Sequence, residues 1–273
     1  MARPQVENLI TSQVKKQKWT IDSAPPGTTI RVLNEDKENG ELTALLDLPA
    51  GANREWSVFN TVGQEFFVLE GSLRIGSVSL TPGCYCYYPA GVVQGPWVAE
   101  ESCSVIAFFG GRPQFIRSYR SDPKSREDQK IEYLNSWTMD WIDPLKASDP
   151  SLPLRTGIFV KIFRVDEVTG ASTHLAGAIP GWYAEGIEVH PVREENLTLS
   201  GDIRIGTIAG KEAYTMTEGT YYDRPAGIPH GPLATKNGNV NLVHTDGRLG
   251  IDYQNDPDAE RVIMDHFRRF SWK

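Results

Sequence analysis

Two stretches in the second half of the chain carry its most informative pattern: Glu188-Val-His-Pro-Val-Arg-Glu194 and Gly219-Thr-Tyr-Tyr-Asp-Arg-Pro-Ala-Gly-Ile-Pro-His230. Residues two apart on a strand face the same side, so Glu188 and His190 point into one space if either does. The Pro-Ala-Gly segment is a turn signal that brings His230 in from another strand. All five histidines of the chain lie in this second half. We therefore expect a metal site there.

Most of each half reads as short strands separated by Gly and Pro. Phe66–Leu69 and Cys84–Tyr88 are rich in β-branched or aromatic residues and are bounded by turn residues, which predicts antiparallel strands in a barrel or jelly roll. An Asp-Pro pair then precedes a predicted helix in each half, at 124–134 and 258–270, because Asp is a good N-cap and Pro suits the first helical position. The predicted fold class is all-β, with two barrels and a short helix after each.

The two halves repeat one another. A constant offset of 130 positions, as from Gly51 to Gly181, relates the early strands, and beyond a six-residue insertion near Ala209–Met216 the offset becomes 136. Each half is long enough to bury its own core, so we predict two domains, 1–135 and 136–273. Matching pairs include Thr43 and Thr173, Glu65 and Glu195, Gly71 and Gly201, Pro89 and Pro225, and Gly91 and Gly227.

The spacing of these motifs resembles that of the cupin superfamily. Its first motif runs His-x-His, three or four residues, Glu, six residues and Gly; its second runs Gly, five residues, Pro-x-Gly, two residues and His. Every spacing is met here, except that Glu188 stands in place of the first histidine. The resemblance covers nearly the whole chain and implies a bicupin of two tandem double-stranded β-helix, or jelly-roll, barrels. Within the superfamily the chain is similar to anti-sigma-factor-like and acetylacetone-dioxygenase-like cupins.

The resemblance implies that His190, Glu194 and His230 are metal ligands, and that Glu188 either completes the set or acts as a catalytic base. Two imidazoles with one or two carboxylates suit one divalent ion, Fe(II) first, with Mn(II), Ni(II) or Zn(II) as alternatives. His244, on a late strand, is a second catalytic candidate if it points inward, since a histidine can transfer protons near neutrality; a structural role is the other interpretation.

The repeat supplies an internal control for this interpretation. None of the N-terminal residues that correspond to the candidate ligands is charged or carries an imidazole. The N-terminal domain is therefore predicted to be metal-free, while it keeps the Gly and Pro residues that shape the turns. The correspondence runs from Glu188, His190, Glu194 and His230 to Val58, Asn60, Gln64 and Gln94.

Composition is typical of a folded protein, with 40% hydrophobic and 23% charged residues and a net charge of −7. No basic stripe indicates nucleic-acid binding, and no apolar run indicates a signal peptide or a membrane span, so cytoplasmic localisation is expected. The three cysteines are expected to be reduced thiols. A small-molecule substrate is the expected partner, and the resemblance to cupins implies that the protein forms a homodimer.

Three functions fit these observations. The first is an Fe(II) dioxygenase that cleaves a small oxygenated compound such as a β-diketone, enol or phenolic ketone. The second is a non-redox isomerase, decarboxylase, cyclase or lyase in which Glu188 or His244 moves a proton. The third is a metal or ligand sensor without catalysis, and a filled, solvent-free cavity around His190 would favour it. Fold alone does not choose among them.

Overall fold

The computed structural model describes residues 3–144, 156–208 and 213–254. The described chain forms two compact units, each built almost entirely from antiparallel strands. One unit contains Arg3, Pro4 and Thr11–Met139, and the other contains Gln5–Ile10 and the chain from Asp140 onward. We call them the N-terminal and C-terminal barrels.

The N-terminal barrel has a seven-stranded sheet in the order β15-β10-β7-β13-β4-β3-β2, a three-stranded sheet β11-β6-β14 and a four-stranded sheet β5-β12-β8-β9. Its strands are β2 (Gln17–Lys18), β3 (Thr29–Glu35), β4 (Leu42–Leu48), β5 (Ala52–Arg54), β6 (Val58–Asn60), β7 (Gln64–Glu70), β8 (Leu73–Ile75), β9 (Val78–Leu80), β10 (Cys84–Tyr88), β11 (Val93–Gln94), β12 (Trp97–Ala99), β13 (Cys103–Phe109), β14 (Phe115–Arg117) and β15 (Ile131–Asn135).

In the C-terminal barrel the strands join into one sheet with the order β16-β17-β24-β20-β23-β19-β25, to which β1, β18, β21 and β22 add at the sides. Strand β20 is 15 residues long; its first part pairs with β22 and β24, and its second part pairs with β21 and β23. The strands are β1 (Val6–Ile10), β16 (Ile158–Val165), β17 (Ser172–Ala178), β18 (Tyr183–Ala184), β19 (Ile187–Val189), β20 (Glu194–Ile208), β21 (Tyr214–Thr217), β22 (Thr220–Arg224), β23 (His230–Ala234), β24 (Asn239–Thr245) and β25 (Asp252–Gln254).

The predicted helix at 124–134 is wrong. Asp122 begins a turn, in which its carboxylate accepts a hydrogen bond from the amide of Lys124, and a short 3₁₀ helix, Glu127–Gln129, follows. Ile131–Asn135 is a strand because it pairs with the edge of β10, where Tyr87 faces Ile131. This tertiary pairing outweighs the local start signal. The predicted helix at 258–270 lies outside the described residues. Two further 3₁₀ helices are Thr11–Gln13 and Ser136–Thr138.

The first strand of the chain completes the second barrel. β1 pairs with β22 in the same register in which β15 pairs with β10, so that Leu9 faces Tyr221 as Leu134 faces Tyr85. The chain therefore supplies equivalent edge strands to the two barrels from distant parts of its sequence. Length and motif spacing did not indicate that β1 belongs to the C-terminal barrel.

The motif glycines have a clear structural reason. Gly71 and Gly201 adopt φ values of 68° and 79°, and a Cβ atom at either position would lie about 2 Å from a backbone carbonyl oxygen, that of Ser102 or Gly238. A side chain would collide with the neighbouring loop and would strain the left-handed backbone. This constraint explains why both halves keep the glycine although only one keeps the histidines.

The interiors of the barrels differ. The N-terminal barrel holds a large apolar core that includes Phe66, Val68, Trp97, Val105 and Phe109. The three cysteines, Cys84, Cys86 and Cys103, are buried in this core and unpaired, as the sequence predicted. Among the described residues of the C-terminal barrel, one apolar cluster contains Ile205, Met216 and Tyr222, and Leu197 and Leu242 are buried as well. Many polar side chains of this barrel are buried too, Asn196, Thr198 and Asn241 among them.

Candidate metal centre

The candidate ligands lie at the ends of strands that meet at one rim of the C-terminal barrel. Glu188 is on β19, His190 follows that strand directly, Glu194 begins β20, and His230 begins β23. Glu188 and His230 are direct partners across the β19–β23 pair. Gly227 of the Pro-x-Gly turn donates its amide to the carbonyl of His190, which holds the two motifs together.

Three residues bring a ligand atom into one group. One atom each from Glu188, His190 and His230 all lie within 4.8 Å of one another, and the three residues are buried. Nε2 of His190 is 3.9 Å from Oε2 of Glu188, and Nε2 of His230 is 4.0 Å from the same oxygen. Glu194 lies beside this group, with its Oε2 atom 3.5 Å from Nε2 of His190.

Backbone carbonyl groups orient both imidazole rings. Nδ1 of His190 donates to the carbonyl of Gly250 at 2.8 Å, and Nδ1 of His230 donates to the carbonyl of Ile228 at 3.1 Å. A carbonyl can only accept, so each Nδ1 carries the proton and each Nε2 presents a lone pair to the group. This outer hydrogen bond is the usual arrangement for histidines that bind metals.

The ionisation of the group also suits a cation. Burial and the nearby Arg224 lower the pKa of His230 to about 3, which keeps its imidazole neutral at physiological pH. Burial raises the pKa of Glu188 to about 6, and the Glu194 carboxylate adds to this rise, while His190 and Arg224 oppose it. Without a cation, the two carboxylates lie close together in a buried space that disfavours their charge.

A divalent metal ion fits these donors. Oε2 of Glu194 is buried and has no hydrogen-bond partner, a costly arrangement that a bound cation would relieve. The Nε2 atoms of His190 and His230 and the Glu188 carboxylate supply the two-histidine, one-carboxylate donor set that is typical of mononuclear Fe(II) oxygenases. The structure thus contains a His/Glu group that could bind a metal; it does not identify the metal.

Behind the ligands lies a second set of buried groups. Arg224 is the cross-strand partner of Glu194, and its guanidinium pairs with Glu7 of β1 at 3.0 Å and covers the ring of Tyr222 at 3.6 Å. The Tyr222 hydroxyl donates to Glu194 and accepts from the amide nitrogen of Asn196; burial, then Glu194, raises the pKa of Tyr222 well above its usual value. The sequence did not predict the roles of Arg224 and Glu7, since Glu7 lies far away in the chain.

The structure does not bring His244 to this group. Side chains alternate along β24, so Thr245, which faces Glu194, and His244 point to opposite sides of the sheet. His244 instead places its Nδ1 atom 3.4 Å from Oε1 of Glu195, the carboxylate that Tyr221 also contacts. The geometry therefore favours the structural interpretation of His244 over a catalytic one.

The N-terminal barrel shows what replaces the ligands. Nδ2 of Asn60 donates to Gln64 at 3.1 Å, Nε2 of Gln64 donates to Gln94 at 3.1 Å, and the indole of Trp97 donates to the same Gln94 oxygen at 2.7 Å. Val58, fully buried, stands where Glu188 stands in the other barrel. The side-chain amides of Asn60, Gln64 and Gln94 therefore form hydrogen bonds with one another, and none of these residues offers a charged ligand to a metal.

A comparison with protein families decides the membership of the chain. Residues 8–252 match the model described as "Domain of unknown function (DUF4437)". The chain belongs to the DUF4437 family. A comparison with curated protein sequences finds no match. No helix among the described residues of this DUF4437 protein is long and apolar enough to span a membrane.

Solved structures show the fold of this DUF4437 protein. It resembles a proposed dioxygenase from Nostoc punctiforme PCC 73102, with a TM-score of 0.77 and 19% identity over 93% of this chain and 87% of that one. It also resembles a mutant of salicylate 1,2-dioxygenase from Pseudoaminobacter salicylatoxidans, in complex with gentisate, with a TM-score of 0.59 and 12% identity over 79% of this chain and 73% of that one. A variant of oxalate decarboxylase from Bacillus subtilis is similar with a TM-score of 0.59 and 15% identity over 97% of this chain and 84% of that one. The predicted bicupin fold is confirmed; the finer similarity to anti-sigma-factor-like or acetylacetone-dioxygenase-like cupins is not.

Proposed function

We propose that this DUF4437 protein is a metal-dependent cupin enzyme that acts on a small oxygenated organic compound, and that it is an Fe(II) dioxygenase. The observation that carries the proposal is the group of Glu188, His190 and His230, whose ligand atoms converge within 4.8 Å while carbonyl groups orient both rings. Two of the similar folds belong to proteins described as dioxygenases, which supports the proposal by analogy.

His190 and His230 would hold the metal together with Glu188, Glu194 or both, and a Glu188 carboxylate that stayed uncoordinated would be free to act as a base. A bound Fe(II) would act as a Lewis acid toward the oxygen atoms of the substrate and supply electrons for a reaction with O2. An uncoordinated Glu188, buried beside both imidazoles, would be placed to accept the proton of an enol or phenol. Arg224, buried beside the group, would favour the resulting negative charge on the substrate.

Oxygen consumption tests this function. The iron-loaded protein is incubated with enolisable β-diketones and phenolic ketones in an oxygen electrode, and we expect uptake of O2 with at least one of them. His190→Ala should abolish the uptake, whereas Asn60→Ala, the matched change in the N-terminal barrel, should leave it intact. No uptake with any enolisable ketone would contradict the dioxygenase proposal.

A second function has one observation of its own. Glu188 is a buried carboxylate within about 4 Å of both imidazoles, a position that suits a general base, which an isomerase, decarboxylase, cyclase or lyase would use without any redox step. Turnover under strict exclusion of O2, supported equally well by Mn(II) or Zn(II), would favour this function over the first. The sensor hypothesis, the homodimer and cytoplasmic localisation stay predictions.

A further inference from the structure

The inner face of the C-terminal barrel carries a line of polar side chains that leads away from the metal ligands. Asn196 and Thr198 follow Glu194 along β20 in steps of two residues, so the three side chains share one face. Asn241 of the neighbouring strand β24 lies directly opposite Thr198. The line therefore begins at a candidate ligand and continues into the barrel for roughly 13 Å of strand.

Three atoms of this line have no hydrogen-bond partner. They are Oδ1 of Asn196, Oγ1 of Thr198 and Oδ1 of Asn241. The relative exposures of these residues are 6%, 1% and 5%, so bulk water does not solvate them. Buried polar atoms in proteins are almost always paired, and an unpaired one destabilises the fold. Three such atoms on one inner surface indicate that something else satisfies them.

The fold itself does not require polar residues at these positions. The equivalent residues of the N-terminal barrel are Phe66, Val68 and Val105, and all three lie in its apolar core. The same strands and registers are thus compatible with a completely apolar filling. The polar line is specific to the barrel that carries the candidate metal ligands.

A hydrogen-bond relay joins the line to the metal centre. The amide nitrogen of Asn196 donates to the Tyr222 hydroxyl, and that hydroxyl donates to Glu194. These two bonds fix the orientation of the Asn196 amide and leave its Oδ1 atom as an acceptor. A molecule that reaches the metal centre from the barrel interior would contact this oxygen.

We propose that Asn196, Thr198 and Asn241 form a substrate subsite for the hydroxyl groups of a neutral polyhydroxylated compound. This inference rests on the proposed function, since the ligand would approach the metal through another oxygen. Two of the three unpaired atoms are amide carbonyl oxygens, which accept hydrogen bonds and repel a carboxylate. None of the three side chains is cationic, so the line itself offers a carboxylate no opposite charge.

Binding calorimetry on the zinc-loaded protein tests the subsite without any turnover. The probes are three matched pairs of neutral compounds: dihydroxyacetone with acetone, erythritol with butanol, and trihydroxyacetophenone with acetophenone. We expect the hydroxylated member of at least one pair to bind about tenfold or more tightly than its partner, as expected for one or more hydrogen bonds to buried acceptors. In the Thr198→Val and Asn241→Val double variant this preference should disappear while zinc content is unchanged.

Thermal stability distinguishes a subsite from a structural network. Without ligand, Thr198→Val should raise the Tm, because it removes an unpaired polar atom and keeps the shape of the side chain. The matched change in the N-terminal barrel, Val68→Thr, should lower the Tm, since it creates such an atom in an apolar core.

Two results would overturn the subsite: equal binding of both members in all three pairs, or a hydroxyl preference that survives in the double variant. A lower Tm for Thr198→Val would also overturn it, since the hydroxyl would then stabilise the fold. Failure of the wild-type protein to retain zinc would instead contradict the proposed function. The same pairs measured on metal-free protein would then still decide the subsite.

Discussion

The two barrels share their backbone plan and differ in what fills it. Gly91 and Gly227 donate to the equivalent carbonyls of Asn60 and His190, and the buried pairs Glu65–Tyr85 and Glu195–Tyr221 both have hydrogen bonds of 2.6 Å. The turns, the strand registers and these Glu–Tyr pairs are therefore the same in the barrel with the candidate ligands and in the barrel without them.

Inside, the difference is large. The N-terminal barrel joins Asn60, Gln64 and Gln94 through amide hydrogen bonds, above an apolar core. Its counterpart places Glu188 and two histidines at the same rim, above polar atoms that lack partners. The comparison indicates that apolar side chains fill the N-terminal barrel below the rim, whereas polar side chains occupy the equivalent positions of the C-terminal barrel. At the rim itself, the N-terminal amide chain also leaves one buried atom without a partner, Nε2 of Gln94. Four predictions test this contrast, beginning with the largest expected effect.

Metal binding should depend on one barrel alone. His230→Ala removes an oriented ligand and should weaken metal affinity more than the roughly 10- to 100-fold that the loss of an outer-shell partner causes. Gln94→Ala, at the equivalent position, should leave metal content unchanged. Metal titration of both variants measures the difference, and equal losses in the two would remove the asymmetry.

Metal removal should destabilise the C-terminal barrel. A ligand present at about 1000 times its Kd stabilises the native state by about 4 kcal/mol, so a chelator should lower the free energy of unfolding by a similar amount. Hydrogen exchange should then accelerate in β19, β20 and β23, while exchange in β6, β7 and β11 stays slow. A uniform acceleration across both barrels would argue against a local site.

Acid should destabilise the metal-free protein partly through His174. Burial, with a smaller effect of His244, lowers the pKa of His174 from 6.5 to about 4. In the pH interval between these values the unfolded chain binds a proton that the folded chain does not, so stability falls as the pH is lowered, by about 3 kcal/mol in total. His174→Ala, which copies Ala44 of the other barrel, should flatten the curve of unfolding free energy between pH 7 and pH 4. An unchanged slope would mean that His174 is protonated without cost.

Breaking the amide chain of the N-terminal barrel should have the smallest effect. Gln64→Leu leaves the Nδ2 group of Asn60 without its acceptor, which should lower the free energy of unfolding by about 1–2 kcal/mol. Metal content should not change. Denaturant unfolding and elemental analysis of the same sample check both statements, and a loss of metal would place the site in the wrong barrel.

Much of this architecture could be predicted from the sequence. Motif spacing predicted the barrels, and the constant offsets predicted that Val58, Asn60, Gln64 and Gln94 occupy the ligand positions. The edge strand Ile131–Asn135 could not be predicted, because the Asp-Pro start signal is local and the pairing with β10 is not. For the same reason Glu7 was missed, although it pairs with Arg224.

Only those features of the candidate site that follow from the spacing of residues along a strand could be predicted. Alternation from Glu194 could have identified Asn196 and Thr198, since all three share a face of β20, but nothing in the sequence distinguishes an unpaired amide from a paired one. His244 was ambiguous because its strand position does not by itself give the direction of the side chain. Its register with Glu195 supplies that direction.

Anomalous X-ray scattering at the absorption edge of the bound metal tests the central claim most directly. Crystals of metal-loaded protein should show one anomalous peak per chain, between the Nε2 atoms of His190 and His230 and the carboxylates of Glu188 and Glu194. A second peak beside Gln64 and Gln94, or no peak among the C-terminal ligands, would contradict the account.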